Sequence, residues 1–359
     1  MKVLLVANYA GDRQWSMERF CKMLQRGLQE EGVEVEVIRP GVTVGGRNKW
    51  LGYLDKYTLF RSKLQQAVKK RDGWLVHILD QGNGVYAGWV PGCMVTCHDL
   101  IAIRAAGGEF PGHRPGWSGK ALQRQILGGL RKAKAIACVS GATQRDVTRL
   151  IGPSEVIANG LEESWQPVDE MRARTQIGKA GLREGGYLLH VGGAQWYKNR
   201  AQVVRTFIEV RNGTSYSPRL VLVGPPLDSA SRARLKSAGL KRMVHVLTGV
   251  SDETLRALYS MAGALVFPSI AEGFGWPILE AQACGCPVMT TNAPAIRETS
   301  GGAAIHVEEG NWTRALRDLL AMEETQRAAL VAAGMKNARR FSVKRMAREY
   351  VEFYRRHAL

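Results

Sequence analysis

Cysteine, acidic residues and long apolar runs are all scarce in this chain. Six cysteines in 359 residues do not make a disulfide framework. Cys93 and Cys97 fall in a strand-like run, Cys284 and Cys286 bracket the end of a helical one, and no Cys/His knuckle accompanies either pair. They read as reduced, structural thiols, and reduced thiols fit a cytosolic protein. No apolar run approaches the roughly 18–20 residues that a membrane-spanning helix needs. The opening Lys2-Val-Leu-Leu-Val-Ala reaches Asp12 and Arg13 too soon for a secretory leader and reads as a first strand.

Acid is the scarcer charge. Asp and Glu number 32 against 50 Lys and Arg, a net charge of +18. From Lys56 to Arg71 there is no acid, while Lys56, Arg61, Lys63, Lys69, Lys70 and Arg71 all occur. A second such block carries Arg114, Lys120, Arg124, Arg131, Lys132, Lys134 and Arg145. Both have apolar residues at helical spacing, so each is either a solvated helix face or a surface for peripheral docking on anionic lipid headgroups. Nucleic acid is a weaker partner, because the aromatic-and-basic strands of RNA-binding sheets are missing.

What is present is an α/β alternation. Apolar residues make up 45% of the chain and charged residues 23%, as in globular proteins, and the length suits two domains. Strand-like runs at Lys2–Ala7, Glu34–Arg39, Leu75–Leu79, Met94–Cys97, Ala135–Val139 and Glu155–Ala158 alternate with helical patterns. The pattern restarts at Tyr187–Val191 and runs through Arg219–Val223, Val244–Leu247, Ala264–Phe267, Pro287–Thr290 and Ala304–Val307. The expected fold is two Rossmann-like, doubly wound domains with a ligand cleft at the carboxyl ends of their sheets. Residues 1–160 form the first and 161–341 the second, with the polar stretch Gly160–Gly186 at the junction. The amphipathic segment 342–359 packs back on the first.

Residues 264–291 are the most informative. An apolar strand (Ala264–Phe267) enters a loop bearing Gly273 and Gly275; Pro277 stands where a helix begins, and Ile278–Ala283 reads as that helix. Glu272 precedes the turn and Glu280 lies in the first helical turn. Such a strand–loop–helix unit aims backbone N–H groups at an anion, which suits phosphate. Two carboxylates repel phosphate but accept from hydroxyls, so they fit the sugars on either side of it. A nucleotide-sugar has that layout.

This block resembles the E-x7-E donor motif of the retaining family-4 glycosyltransferases of the group 1 type, which share the GT-B fold. Four further stretches resemble family segments: Leu189–Asn199, Gly249–Tyr259 beside the nucleobase, Val156–Gly160 at the hinge and Val95–Leu100 in the first domain. The resemblance implies that Glu272 contacts the donor sugar, Glu280 the ribose and Lys198 the diphosphate. Phe274, Gly275 and Trp276 would complete the anion site, Val250 would neighbour the base, and His98 would face the donor sugar or reacting centre. Gly11 and Arg13 belong to a first-domain loop that approaches the phosphates, poorer in glycine here than in the family. Ser16 reads as a helix N-cap, Asp99 as a local cap, and Arg104–Gly119 as an acceptor loop. Where relatives carry a phosphate-binding Arg, this chain has Gly193, and Arg13 is the substitute to test.

The implied activity is retaining transfer of a hexosyl group from a UDP- or GDP-sugar to a glycan or lipid-linked acceptor, in cell-surface glycan or glycolipid synthesis. It needs no metal and no cofactor beyond the nucleotide-sugar co-substrate; no Asp-x-Asp pair is present. The implied location is cytoplasmic, peripheral at the inner face of the plasma membrane. A sugar-nucleotide epimerase or phosphorylase on the same fold, or a basic binding protein that has lost turnover, are the competing readings.

Overall fold

The computed structural model describes residues 1–44, 49–182, 186–212 and 218–358. Residues 183–185 of the expected junction and the terminal Leu359 lie outside the described residues. The chain divides into two units, 1–162 with 341–359, and 163–340. The divisions fall a residue or two from those read in the sequence. Leu161 bridges Ser342 in parallel, and its N–H donates to the Phe341 carbonyl at 2.9 Å, which keeps both segments with the first unit.

The first unit holds β1 (Lys2–Val6), β2 (Glu34–Ile38), β3 (Leu75–Ile78), β4 (Met94–Cys97), β5 (Ala135–Cys138) and β6 (Glu155–Val156). All pair in parallel in the order β2-β1-β3-β4-β5-β6. The order reverses between β1 and β3, so the loops after those strands flank a crevice at the sheet's carboxyl edge. Apolar side chains from these strands pack with Phe60, Leu64, Tyr86, Ile126 and Leu130 of the covering helices in one core.

The C-terminal helix Val343–His357 packs against helix Trp15–Glu30 of the same unit. Tyr350, Phe353 and Tyr354 are fully buried. His77 on β3 is also fully buried; its Nδ1 lies 2.6 Å from the Tyr354 hydroxyl and its Nε2 2.8 Å from Thr96 Oγ1, which meets the Tyr350 hydroxyl at 2.7 Å. This network ties the last helix to the sheet. Burial holds His77 neutral, its pKa lowered to about 3.

The acid-free block from Lys56 to Arg71, read as helical from its spacing, belongs to a longer and interrupted helix. Helix Lys49–Leu54 runs through a π-helical turn, Asp55–Leu59, into helix Phe60–Lys69. The turn carries Asp55, which is buried and accepts from the Tyr9 hydroxyl (2.9 Å) and from the Thr43 and Val44 N–H groups (3.1 Å each). A π-turn accommodates one extra residue, and here it brings that carboxylate to the backbone donors it satisfies.

The second unit holds β7 (Leu188–Val191), β8 (Leu220–Val223), β9 (Val244–Leu247), β10 (Ala264–Phe267), β11 (Val288–Thr291) and β12 (Ile305–Val307). They pair in parallel in the order β12-β11-β10-β7-β8-β9, the dinucleotide-binding Rossmann order, with its reversal between β7 and β10. Leu188, Leu220, Leu222, Val266 and Met289 of the sheet pack against Val203, Phe207, Leu316 and Leu319 of the helices. All six cysteines are buried and free, and burial pushes the Cys93 thiol up to about 12 and that of Cys21 to about 11. Among the described residues no helix is long and apolar enough to cross a membrane.

Candidate active site

In the second unit, the two loops that flank the reversal point are those that follow β7 and β10. The first holds Lys198, at the end of a short 3-10 turn, Trp196–Lys198. The second holds Glu272. Lys198 Nζ donates to Glu272 Oε1 at 2.7 Å, and the two side chains are only 16% and 9% exposed. Lys198 Nζ also lies 5.5 Å from the Phe267 ring centre and 5.6 Å from that of Tyr197, both favourable for a cation.

Side-chain hydroxyls fix the loop after β10. Thr290 donates to the Phe267 carbonyl (2.8 Å), Thr291 to Ser269 (2.7 Å) and Thr299 to Phe274 (2.7 Å). The Ile270 N–H donates to the Tyr197 carbonyl at 2.7 Å, which joins this loop to the Lys198 turn. Deeper, His190 on β7 meets the Val266 carbonyl of β10 through Nδ1 at 2.9 Å. A carbonyl partner requires Nδ1 to carry the proton, leaving Nε2 as a buried lone pair. Burial, with help from Arg200 and Lys198, lowers its pKa to about 4.

The helix after this loop, Trp276–Ala283, begins two residues earlier than the sequence reading. Gly275, at φ 105, makes the left-handed entry that other residues resist, and Pro277 sits within the first two helical positions. Glu280 therefore lies in the second turn, not the first. It is 4% exposed and accepts from the Tyr259 hydroxyl at 2.9 Å. Burial and then Glu280's charge raise the Tyr259 pKa well above its ordinary value, so the phenol stays a donor. Phe274 and Trp276 pack edge to face, 6.1 Å between ring centres, at the positive end of this helix.

Gly193 and Val250 lie elsewhere on the same carboxyl edge. Gly193 follows β7 and supplies no cation. The next arginine along the chain, Arg200, is buried and reaches the Pro226 carbonyl after β8 at 3.4 Å. Val250 is half-buried beyond β9, just before Ser251, whose hydroxyl caps helix Asp252–Met261.

The other sequence-assigned residues belong to the first unit. His98 directly follows β4 and is 7% exposed. Its Nε2 meets the Leu79 carbonyl at 3.0 Å, its N–H donates to Gln81 Oε1 at 2.7 Å, and its ring stands edge-on to Phe20 at 4.7 Å. Burial lowers its pKa, with Asp80 acting the other way. The ring is neutral, with Nδ1 its lone-pair nitrogen. Asp99 accepts from the Ile101 N–H at 2.9 Å, a local cap.

Gly11 and Arg13 are exposed in the loop after β1, where Arg13 takes a left-handed conformation at φ 50. That residue closes a 3-10 turn and lets helix Trp15–Glu30 start before Ser16, so Gln14 occupies the N-cap position in place of Ser16. The expected loop from Arg104 is shorter. Ile101–Gly107 is helical, and Arg104 is held by Glu109 and Asp146, each at 2.8 Å.

Sequence reasoning gave no role to Tyr259, His190 or the threonines that hold the loop. Tyr259 and His190 lay inside stretches already matched to the family. The others act through tertiary partners that periodicity does not reveal. Among the described residues no cluster of His, Cys, Asp and Glu could hold a metal ion.

Residues 174–341 match the family model described as glycosyl transferases group 1, and residues 17–165 that of glycosyltransferase family 4. The chain is 24% identical over 270 residues to O-antigen chain mannosyltransferase B of Escherichia coli, covering 73% of this chain and 70% of that one. It is 28% identical to a D-inositol 3-phosphate glycosyltransferase of Acidothermus cellulolyticus, covering 90% and 81%. Its fold matches sucrose-phosphate synthase from Thermosynechococcus elongatus with a TM-score of 0.76 at 19% identity, covering 99% and 98%. It matches WaaG, a glycosyltransferase involved in lipopolysaccharide biosynthesis, with a TM-score of 0.73 at 15% identity, covering 98% and 99%. The two parallel sheets, the paired reversal-point loops and the two family matches together make this chain a glycosyltransferase of group 1 with the GT-B fold.

Proposed function

We propose that the protein transfers a hexosyl group, mannosyl or glucosyl, from a UDP- or GDP-sugar to an acceptor hydroxyl with retention at the anomeric carbon. The observation that carries this is the Lys198–Glu272 pair at the reversal point of a Rossmann sheet, with Glu280 eight residues on and buried against Tyr259. In the free protein the two charges satisfy each other. A nucleotide-sugar separates them usefully: its diphosphate takes Lys198, and its sugar hydroxyls take Glu272. Glu280 accepts from the ribose. The positive end of helix Trp276–Ala283 and Lys198 stabilise the leaving diphosphate without a metal.

In the retaining step, the acceptor oxygen bonds to the anomeric carbon on the face that the diphosphate leaves. The acceptor proton passes to a departing phosphate oxygen. His98, neutral at the carboxyl edge of the first unit, is the residue there suited to hydrogen-bond the donor sugar. The mannosyltransferase names of relatives support the mannosyl choice, and a structural neighbour solved with UDP and glucose supports the glucosyl one. Two relatives are named for O-antigen chains, which favours a cell-surface glycan or lipid-linked acceptor. The site works at the cytoplasmic face of the membrane.

The test is nucleoside diphosphate release from UDP-glucose and GDP-mannose with glycan acceptors, followed by proton NMR of the product's anomeric centre. The proposal expects donor-matched release that depends on acceptor, with the donor's anomeric configuration kept. Inversion, or donor isomerisation without acceptor, overturns it.

A further inference from the structure

The first unit has a concave site that the glycosyl-transfer reading leaves unused. It lies along edge strand β2, between that strand and helix Phe60–Lys69, with a volume of about 490 Å³. That is within the usual range for small-ligand sites. Leu4, Val37 and Ile38 give it an apolar floor, and four cations, Arg39, Lys63, Lys70 and Arg71, stand against one carboxylate, Glu36.

The carboxylate is already committed. Glu36 Oε2 accepts from Arg71 Nε at 3.1 Å, and Arg71 Nη1 donates to the Ala67 carbonyl at 3.0 Å. Arg39 pairs with Glu18. Lys63 and Lys70 have no carboxylate partner among the described residues. Seven positions apart, one on the helix and the other its C-terminal cap in helical conformation, they stand two turns from each other on the same face, roughly 10 Å along the axis. Gln66 and Ala67 lie between them, and Ala67 is short enough to leave a hollow. Water and salt largely screen the repulsion between two exposed ammonium groups this far apart, and their flexible stems let both reach an anion held over the hollow.

We propose that this pocket binds the phosphate of a phosphate ester. Lys63 and Lys70 bracket the phosphate above Ala67, and the ester's carbon portion lies on Leu4, Val37 and Ile38. Lys binds phosphate as a point charge and needs no rigid fork, which suits two flexible side chains converging from the same helix. The apolar floor favours an ester over inorganic phosphate. A soluble glycerol phosphate and the headgroup of an anionic lipid share this chemistry. The basic run read from the sequence is thereby narrowed, since Lys69 does not line the pocket and Arg39, from β2, does.

A purely protective role is the competing explanation, because lysines also keep an edge strand such as β2 from pairing with other chains. The experiment compares the full chain with K63Q/K70Q and with K236Q/K241Q, an equal loss of charge at exposed lysines of the second unit. Binding of glycerol 1-phosphate is followed by titration, and binding to phosphatidylcholine vesicles with and without phosphatidylglycerol by flotation.

The expected result is that K63Q/K70Q weakens binding to at least one probe by about tenfold or more, while K236Q/K241Q changes it far less. Loss with glycerol phosphate supports the pocket and points to a soluble ester. Loss with phosphatidylglycerol vesicles alone supports it and points to a lipid headgroup. Equal loss in both double variants means diffuse charge and overturns the proposal. So does wild-type protein that binds neither probe, or K63Q/K70Q protein that self-associates yet binds as before.

Discussion

Substituting Lys198 by alanine should destabilise the unliganded protein as well as weaken donor binding. The substitution strands the Glu272 carboxylate, whose side chain is only 9% exposed. Exposed ion pairs contribute about 0.2–1 kcal/mol, whereas breaking a buried pair costs about 3–5 kcal/mol. With side chains 16% and 9% exposed and a 2.7 Å contact, this pair falls nearer the buried case. We expect a loss of about 2–3 kcal/mol. For a unit of this size, each kcal/mol moves Tm by about 2–4 °C, so the transition should fall by about 4–12 °C.

Glu272→Ala in the same background removes the stranded charge, and the double variant should recover much of the loss. The cycle then gives a favourable coupling above about 1.5 kcal/mol. Differential scanning calorimetry of wild type, both single variants and the double variant measures all four corners. Adding UDP or GDP extends the test. The wild-type Tm should rise, by the equivalent of about 2.7 kcal/mol at a hundredfold excess over Kd, and the rise should shrink in Lys198→Ala as a charge-assisted hydrogen bond is lost. If Lys198→Ala melts with the wild type, or the two single losses simply add, the pair is not a coupled unit and the reasoning fails.

Glu272→Gln should abolish sugar transfer yet tighten binding of the sugar-free nucleoside diphosphate, because Lys198 no longer has to leave a carboxylate; calorimetric titration reads both changes, and weaker binding counts against the exchange of partners. Gly224 takes φ 145, and a Cβ there would stand 2.1 Å from the Gly192 carbonyl oxygen, so Gly224→Ala should displace the loop that carries Lys198 and raise KM for the donor by about tenfold or more. An unchanged KM would show that the loop tolerates the shift. His77 and His190 are buried neutral, with pKa values lowered to about 3 and about 4. The unfolded chain binds their protons first as pH falls, so stability is complete above about 6.5 and is lost below it. Each histidine should contribute about 1.4 kcal/mol per pH unit between that point and its folded value. Urea unfolding from pH 7 to 5 measures the slope, His190→Gln should lower it by about one proton, and a flat profile would mean neither ring is buried as described.

Much of the fold is legible in the chain because parallel strands buried on both faces are short apolar runs bounded by turns. Met94–Cys97, Val244–Leu247 and Ala264–Phe267 have the same limits in the sequence reading and in the structure. The departures occur where a tertiary contact outweighs a local rule. Ser16 looks like a cap, but the left-handed turn at Arg13 starts the helix before it. The basic run after Asp55 has helical spacing throughout, but burial of Asp55 against Tyr9 opens a π-turn, Asp55–Leu59, within it. Arg104 looks like the start of a polar loop, but two carboxylates fold it into a helix.

The site divides in the same way. The spacing of Glu272, Pro277 and Glu280 marks a strand–loop–helix unit in one dimension. Nothing in that spacing brings Lys198, some seventy residues earlier, within 2.7 Å of Glu272; the Rossmann strand order does, by setting β7 beside β10. Nor does the sequence show that the loop is pinned by Thr290, Thr291 and Thr299, since each hydroxyl finds its carbonyl only after the sheet and helices assemble.

The central claim is that the loop and helix after β10 hold a nucleoside diphosphate, with Glu280 on its ribose. Calorimetric titration of UDP, GDP and ADP against the wild type and Glu280→Ala tests it most directly. One nucleotide should bind the wild type well ahead of the others, and Glu280→Ala should weaken that nucleotide by about tenfold or more, the scale of a hydrogen bond to a charged group. Equal affinity in both proteins, or no nucleotide bound by the wild type, would contradict the account.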